Sequence, residues 1–477
     1  MIRMKKVIAI FTVIAGVVHA QTVQDINSVS AYSNEINAGS ARYIGMGGSM
    51  GALGGDISSV EQNPAGLAVA IASDVNVTLG INSYKNESKF GNTFDTDDNT
   101  VMFQNVGATF VFNPNTSSGW NRFSIGVKYS QQSLDNWIRM GRNENIRETY
   151  LTNEDPEEYT TYTMNGYHDE VVGYKTKMSI DFAASYNDRI YLGLGLNFHD
   201  VQQDNYVVFD EETIGEDGNS NVYRYDLNGT PYTASGQGFS VSAGVIGKIN
   251  DNVRLGLAYH SPVWYRNIQE SYYADLLFGE NYHYDLYYSE YDRNANGRLV
   301  ASAGAVFAKS LAVNLDYTLH MNGSTKMMPS NDFASTNTFF DDYLKSSSEI
   351  RAGVEYRLNN FRFRGGYNYV QSPFDEIMLD ADLGTGTVVT QNFDKAFRGD
   401  TNRFSLGAGY DFGGFYLDAA YQFSNQKYDY VFGNGEYVDY DAGEVYLAAL
   451  PLNAGHNYVS EVENKTGMFL LTAGWQF

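Results

Sequence analysis

Through most of this chain, apolar and polar residues alternate one for one. From Asp74 to Tyr84, Val75, Val77, Leu79 and Ile81 fall on one face and Asn76, Thr78, Gly80 and Asn82 on the other. Successive side chains of a strand point to opposite faces, so the run predicts a strand with one greasy and one polar side. The pattern returns at 101–113, with Val106, Ala108, Phe110 and Phe112 on the apolar face, and at 120–132, where Phe123, Ile125, Val127 and Tyr129 oppose Arg122, Ser124, Gly126 and Lys128. It continues at 174–187 and at 189–203, where Ile190, Leu192, Leu194, Leu196 and Phe198 alternate with Tyr191, Gly193, Gly195, Asn197 and His199. Nine further runs follow at 236–250, 252–265, 297–308, 311–321, 347–358, 361–372, 402–412, 415–426 and 467–477. Each approximates the roughly 9–11 residues with which a tilted strand crosses a bilayer.

The connections alternate as regularly as the residues. Short turns at 114–119, Asn187-Asp188, Asn250-Asp251, Lys309-Ser310, Asn359-Asn360 and Gly413-Gly414 separate long polar stretches at 85–100, 133–173, 204–235, 266–296, 322–346, 373–401 and 427–466. Asn205 to Phe209 alternates too, so the strands beside the 204–235 loop are expected to rise beyond a membrane as a hairpin. An even strand number with short turns at one end and long loops at the other fits a bacterial transmembrane barrel. The fold class expected is all-β: a 14-stranded antiparallel transmembrane β-barrel. The alternative is a soluble sandwich or propeller, which would bury its apolar faces against each other. About 8 strands enclose a space that side chains fill, whereas about 16 to 18 leave an aqueous channel. Fourteen therefore need a plug or make an open pore.

The segment before the strands supplies a candidate. Residues 1–20 read as an export signal, with Arg3, Lys5 and Lys6 ahead of an apolar Val7–Val18 core and a Val18-His19-Ala20 cleavage site. Residues 21–72 form a small-residue segment expected to enter the lumen as a hatch, ahead of a barrel over 73–477. Six glycines crowd Gly45–Gly55, too flexible for a free helix and too apolar for a solvated linker. Pro64 then ends the local structure by pushing Asn63 out of the helical region. A disordered tail would leave Ile44, Met46, Met50, Leu53, Ile57, Val60 and Leu67 in water.

Composition narrows the class. The chain has 47 Gly and 38 Tyr, no cysteine and a net charge of −24. Neither disulfides nor thiolate metal sites are available, and nothing forms the basic stripe that nucleic acid requires. Glu154, Asp155, Glu157, Glu158, Asp169 and Glu170 crowd one loop, without the ligand spacing of a calcium site.

The segment closing on Asn63-Pro64-Ala65-Gly66, behind a signal peptide and ahead of a strand-rich chain with a terminal Phe477, resembles the FadL/TodX family of outer-membrane transporters for long-chain fatty acids and other hydrophobic compounds. The resemblance spans essentially the whole mature chain. It implies a hatch in the lumen, here carrying Gly47, Gly48, Gly54, Gly55, Asn63, Pro64 and Ala65. It also implies passive uptake of a hydrophobic, fatty acid-like molecule by a monomer seated in outer-membrane lipid, with both mature termini in the periplasm and no cofactor or metal. Relatives release substrate sideways through a kinked strand, and Gly126 marks a candidate kink. The alternatives are a barrel of this kind serving as scaffold or shuttle for a secreted or surface protein, as in type 9 secretion, and a non-selective porin.

Candidate contacts for a substrate follow from the faces. Leu276, Leu277, Phe278 and Tyr282 form a greasy, tyrosine-rich patch in the 266–296 loop, since tyrosine joins apolar area to a polar tip. Arg351, Glu355, Arg357, Arg362 and Arg364 fall on inward faces, with Asp181, Asp316 and Asp418 also inward. Charges in a confined lumen need partners, so a network pinning the hatch is expected. Arg364 and Arg403 are the arginines placed to meet a substrate carboxylate in passing. His199, His260 and His320 also face inward, but no Gly-x-Ser-x-Gly or His-Glu-x-x-His motif accompanies them, and no enzyme is expected. The Gly45–Gly55 run makes no phosphate cradle, because no βαβ unit surrounds it.

Overall fold

The computed structural model describes residues 28–114, 118–152, 159–215, 218–226, 232–278, 281–382, 388–433, 445–449 and 458–477. The expected export signal over 1–20, the first residues of the expected hatch and the acidic Glu154, Asp155, Glu157 and Glu158 lie outside the described residues.

The wall strands are β1 (Asp74–Phe90), β2 (Asn92–Phe112), β3 (Trp120–Ser133), β4 (Tyr159–Tyr186), β5 (Ile190–Gly215), β6 (Tyr232–Lys248) and β7 (Val253–His260). They continue with β8 (Gly297–Phe307), β9 (Leu311–Met321), β10 (Ser347–Leu358), β11 (Phe361–Val370), β12 (Thr401–Asp411), β13 (Phe415–Gly433) and β14 (Tyr458–Gln476). Each pairs antiparallel with the next, and β14 returns to β1 from Asp74↔Gln476 to Lys89↔Glu461, giving fourteen pairings around a closed ring. The short turns use the chemistry the sequence offered. Asn187 and Asp188 have φ of 51° and 49°, as do Ala308 and Lys309 at 48° and 57°, the left-handed pairs that match hairpin twist.

Burial runs opposite to that of a soluble protein. On β1, Leu79 and Ile81 are 46% and 47% exposed while Asn76 and Thr78 are 1% and 0%. The same inversion on every wall strand excludes a sandwich, and a transmembrane barrel remains. Aromatic side chains gird both ends of the belt. Trp120, Tyr186, Phe412, Phe415 and Trp475 cluster near the short turns, and Phe198, Phe239 and Trp264 near the long loops, as barrel walls do at lipid–water interfaces.

Three sequence expectations need correction. Most long connections are strands rather than loops. The 85–100 stretch is the tip of the β1–β2 hairpin, turning at Gly91, and the 266–296 stretch is a hairpin of Trp264–Phe278 on Asn281–Asn294. Counting bilayer-length runs captures only the lipid-facing part of a strand, because above the membrane no lipid imposes an apolar face. Second, β2 carries a bulge: Thr78 pairs with Asn105 and Leu79 with Phe103, leaving Gln104 over. The outward face therefore switches from Val101 and Phe103 to Val106 and Phe110. Third, Gly126 marks no kink. It pairs in regular register with Thr109 and Asp181, and a Cβ there would meet Ile57 and Leu67 of the hatch.

The N-terminal segment fills the lumen with short elements: a helix at Ala41–Gly45 capped by Ser40, a 3₁₀ turn at Ile57–Glu61 capped by Asp56, and another at Pro64–Val69 capped by Asn63. At the long-loop end, inward hairpins and the helix Ala334–Tyr343 pack an apolar cluster that includes Tyr32, Ile138, Met164, Tyr265, Phe340 and Tyr430.

Candidate functional site: the hatch, the chamber above it and the wall beside it

The hatch meets the wall backbone to backbone. A Cβ on Gly47, which has φ +65°, would lie 2.8 Å from the Tyr367 nitrogen, and one on Gly353 would lie 2.5 Å from the Met46 oxygen. Wall glycines 193, 244 and 366 make room in the same way for Ala65, Asn63 and Gly47. The Asn63 Oδ1 accepts from the Ala65 amide, and its Nδ2 donates to the Val245 carbonyl of β6. Asn63-Pro64-Ala65 therefore seats against β5 and β6. Of the other glycines singled out from sequence, Gly48 faces Arg351 and Tyr43, and Gly54 packs on Gly66 within the hatch. Gly55 is required only for its φ of +74°, since a Cβ there meets nothing. The wall glycines were missed as hatch contacts, although their signal was in the pattern: they sit on polar, inward phases of their strands.

Charge locks this fit from several sides. Glu61, at the end of a hatch turn, lies 2.9 Å from the Lys177 ammonium and 3.5 Å from the Arg298 guanidinium, and also pairs with Lys128. All four side chains are buried. Arg42 of the hatch lies 2.9 Å from Glu355, which Arg364 also holds at 2.8 Å while reaching Asp418 at 2.7 Å. Arg351 joins Glu349 at 2.6 Å and donates to the Gln62 Oε1, and Asp316 accepts from the Gly51 amide. The network expected from the inward charges is present. Three members fall outside it: Arg357 is half-exposed beside Glu355, Arg362 pairs with Asp411 of the wall, and Asp181 keeps a buried carboxylate oxygen without a partner.

The arginines expected to meet a carboxylate are committed elsewhere. Arg364 is fully enclosed beneath the hatch. Arg403 lies 3.2 Å from Glu35, which Arg398 also approaches at 3.6 Å. A ligand carboxylate at Arg403 would compete with Glu35. The inward histidines are structural as well: His320 meets Glu349 at 2.9 Å, His260 the Gln62 carbonyl at 3.2 Å and His199 the Ser240 hydroxyl at 2.8 Å. Leu276, Leu277, Phe278 and Tyr282 pair across the tip of their hairpin, while their side chains lie outside the described residues.

Above the hatch lies a chamber of about 310 Å³. Its floor is Ser30, Ala31 and Asn37, its roof Phe397, Tyr428 and Tyr430, and its walls come from β1 to β5 and β12 to β14. At the roof, Tyr430 donates to Asp169, and Asn205 also donates to that carboxylate. Burial pushes the Asp169 carboxyl up from its ordinary range, and these hydrogen bonds only partly offset it. Beside the chamber the wall is interrupted. The β2–β3 ladder ends at Asn105↔Ser130. Beyond it, among the described residues, β2 pairs only with β1, and Gln131 to Ser133 of β3 pair only with β4. Gln104, the bulge residue, stands at this edge. A second cavity of about 330 Å³ lies below the hatch at the short-turn end, lined by Asp56, Arg254 and Arg357 among others.

No family model matches the chain, and no curated protein matches its sequence. Solved structures do match its fold. A FadL homologue from Pseudomonas aeruginosa superposes with a TM-score of 0.55 at 14% identity, over 93% of this chain and 99% of that one. The Pseudomonas putida toluene transporter TodX gives 0.53 at 11% identity over 94% and 100%. The CymD monoaromatic hydrocarbon channel gives 0.52 at 12% over 93% and 99%. With a closed ring of fourteen strands around a small-residue hatch that ends in Asn63-Pro64-Ala65, this chain has the FadL/TodX fold.

Proposed function

We propose that the protein is a passive outer-membrane transporter for hydrophobic compounds. A solute would be caught at the long-loop end, held in the chamber above the hatch and released sideways between β2 and β3 into the lipid. The observation that carries this reading is the coincidence of chamber, hatch and interrupted ladder. A space of about 310 Å³ closed below by the hatch abuts the place where β2 and β3 cease to pair. Lateral release lets an apolar solute leave without crossing the buried ion pairs beneath it. On this reading the hairpin tip with Leu276, Leu277, Phe278 and Tyr282 makes first contact, and Gly47, Gly48, Gly54, Gly55, Asn63, Pro64 and Ala65 keep the hatch seated. The long loops lie outside the cell, with the short turns and both mature termini in the periplasm. Support comes from the fold shared with transporters of toluene and monoaromatic hydrocarbons, and from an apolar belt that only lipid can cover. Long-chain fatty acids are part of the same proposal, with Arg403 within reach of a carboxylate only where Glu35 yields.

The test is uptake. Cells carrying the protein should take up labelled toluene or oleate faster than cells without it. Replacing Gln104 and Gln131 by Trp, to fill the gap between β2 and β3, should abolish the difference while the barrel still folds. Uptake that does not depend on the protein would refute the proposal. A stoichiometric protein partner in its place would make the barrel a scaffold.

A further inference from the structure

The chamber presents an alkyl chain with as much polar as apolar surface. Amides and hydroxyls dominate its walls, among them Asn82, Gln104, Gln132, Gln422, Gln426 and Thr466. Gln132, Gln422, Gln426 and Thr466 already bond protein groups, but covering the polar atoms that remain with a chain that cannot hydrogen-bond leaves those unpaired, a penalty that offsets part of the gain from burying methylenes. The chamber is also close to neutral. Arg398 and Arg403 share Glu35, Asp135 accepts from Thr100 and the Gly173 amide, and Asp169 is held by Tyr430 and Asn205. Among the described lining residues each charge is committed to a partner.

The sharpest feature is the amide pair at the edge of the wall. The Gln104 Nε2 donates to the Asn82 Oδ1 at 3.3 Å. The Gln104 Oε1 is buried without a partner, whereas the Asn82 Nδ2 is occupied by the Met102 sulfur at 3.4 Å and by the Tyr84 hydroxyl. Their mutual bond and these contacts leave the Gln104 amide oxygen as the acceptor still to be met. A neutral hydroxyl can donate to it without bringing a charge into the chamber. Phe397, Tyr428 and Tyr430 at the roof supply aromatic faces for the rest of the ligand.

We infer that the chamber is a binding site for a small uncharged compound that carries hydroxyl groups on an apolar ring, with the Gln104 amide oxygen as the group that reads a hydroxyl. This rests on the transport reading and narrows it. Among hydrophobic solutes, ring alcohols and phenols are preferred over bare hydrocarbons and over fatty acids.

The experiment uses the full mature chain in lipid nanodiscs, with empty nanodiscs subtracted, and measures binding of naphthalene, 1-naphthol, 1,5-dihydroxynaphthalene and oleate. Affinity is expected to rise about three- to tenfold per hydroxyl, and oleate is expected to bind more weakly than either naphthol. The Q104M variant, checked for folding by heat-modifiable mobility, should retain naphthalene and lose most of the hydroxyl increment. Affinity that falls along the naphthalene series, or oleate binding tightest, would overturn the inference and leave the transport reading standing. An unchanged increment in Q104M would overturn the assignment to Gln104. If none of the four compounds binds above empty nanodiscs, the inference and the transport reading both fail.

Discussion

Replacing Glu61 by Gln should undock the hatch and leave the barrel intact. In the native protein this one carboxylate faces Lys128, Lys177 and Arg298, with the four side chains between 0% and 3% exposed. The substitution keeps the volume and removes the charge, leaving three buried cations without their shared carboxylate. Breaking a buried pair by removing one partner costs about 3–5 kcal/mol, and here one removal breaks three contacts at once. The wall is held by closed ladders that Glu61 does not touch, so the cost falls on hatch docking. It corresponds to about two to nearly four orders of magnitude in the docked-to-undocked ratio. Amide hydrogen exchange in nanodiscs reads this ratio directly: protection over 57–66 should fall by that factor while the wall strands keep theirs. Lys128→Met should cost less, because Lys177 and Arg298 still hold Glu61. Glu61→Leu combined with Lys128→Met and Lys177→Met should recover part of the loss, since apolar replacement of buried ion partners is often neutral and the remaining Arg298 still donates to the backbone carbonyl of residue 61. Unchanged protection in Glu61→Gln, or a loss spread evenly over hatch and wall, would refute the assignment of this cluster as the hatch lock.

The glycines separate two kinds of constraint. Gly366→Val should cost about 1–3 kcal/mol of hatch docking by overpacking, whereas Gly55→Asn should cost little, because only its left-handed backbone is special; equal losses of hatch protection in the two variants would count against this. Deleting 43–66 should raise ion conductance in planar bilayers, and a deletion that conducts no better than the parent would show that the segment is no plug. The folded chain should fractionate with outer membranes and show heat-modifiable mobility, because its apolar belt needs lipid; recovery only from the soluble periplasm would contradict the barrel.

The period-2 pattern determined the architecture. An apolar face on every strand can be satisfied by lipid outside and a polar lumen inside, and the turn residues closed the hairpins at the expected places. Strand number then left a plug or an open pore, and the cost of exposing Ile44, Met46 and Leu67 to water pointed to the segment that supplies the plug. What the sequence could not carry is everything set by closure of the ring. Glu61 meets Lys128, Lys177 and Arg298 only because β3, β4 and β8 come round the same lumen, contacts 67, 116 and 237 residues apart along the chain. The same closure spends Arg403 on Glu35, although alone it reads as a free guanidinium. Bulge and gap at β2 were hidden as well. One extra residue, Gln104, shifts the alternation by a single position, and the end of a ladder depends on where the neighbouring strand turns away. Period and composition are local properties of a chain; partners across a lumen belong only to the closed barrel.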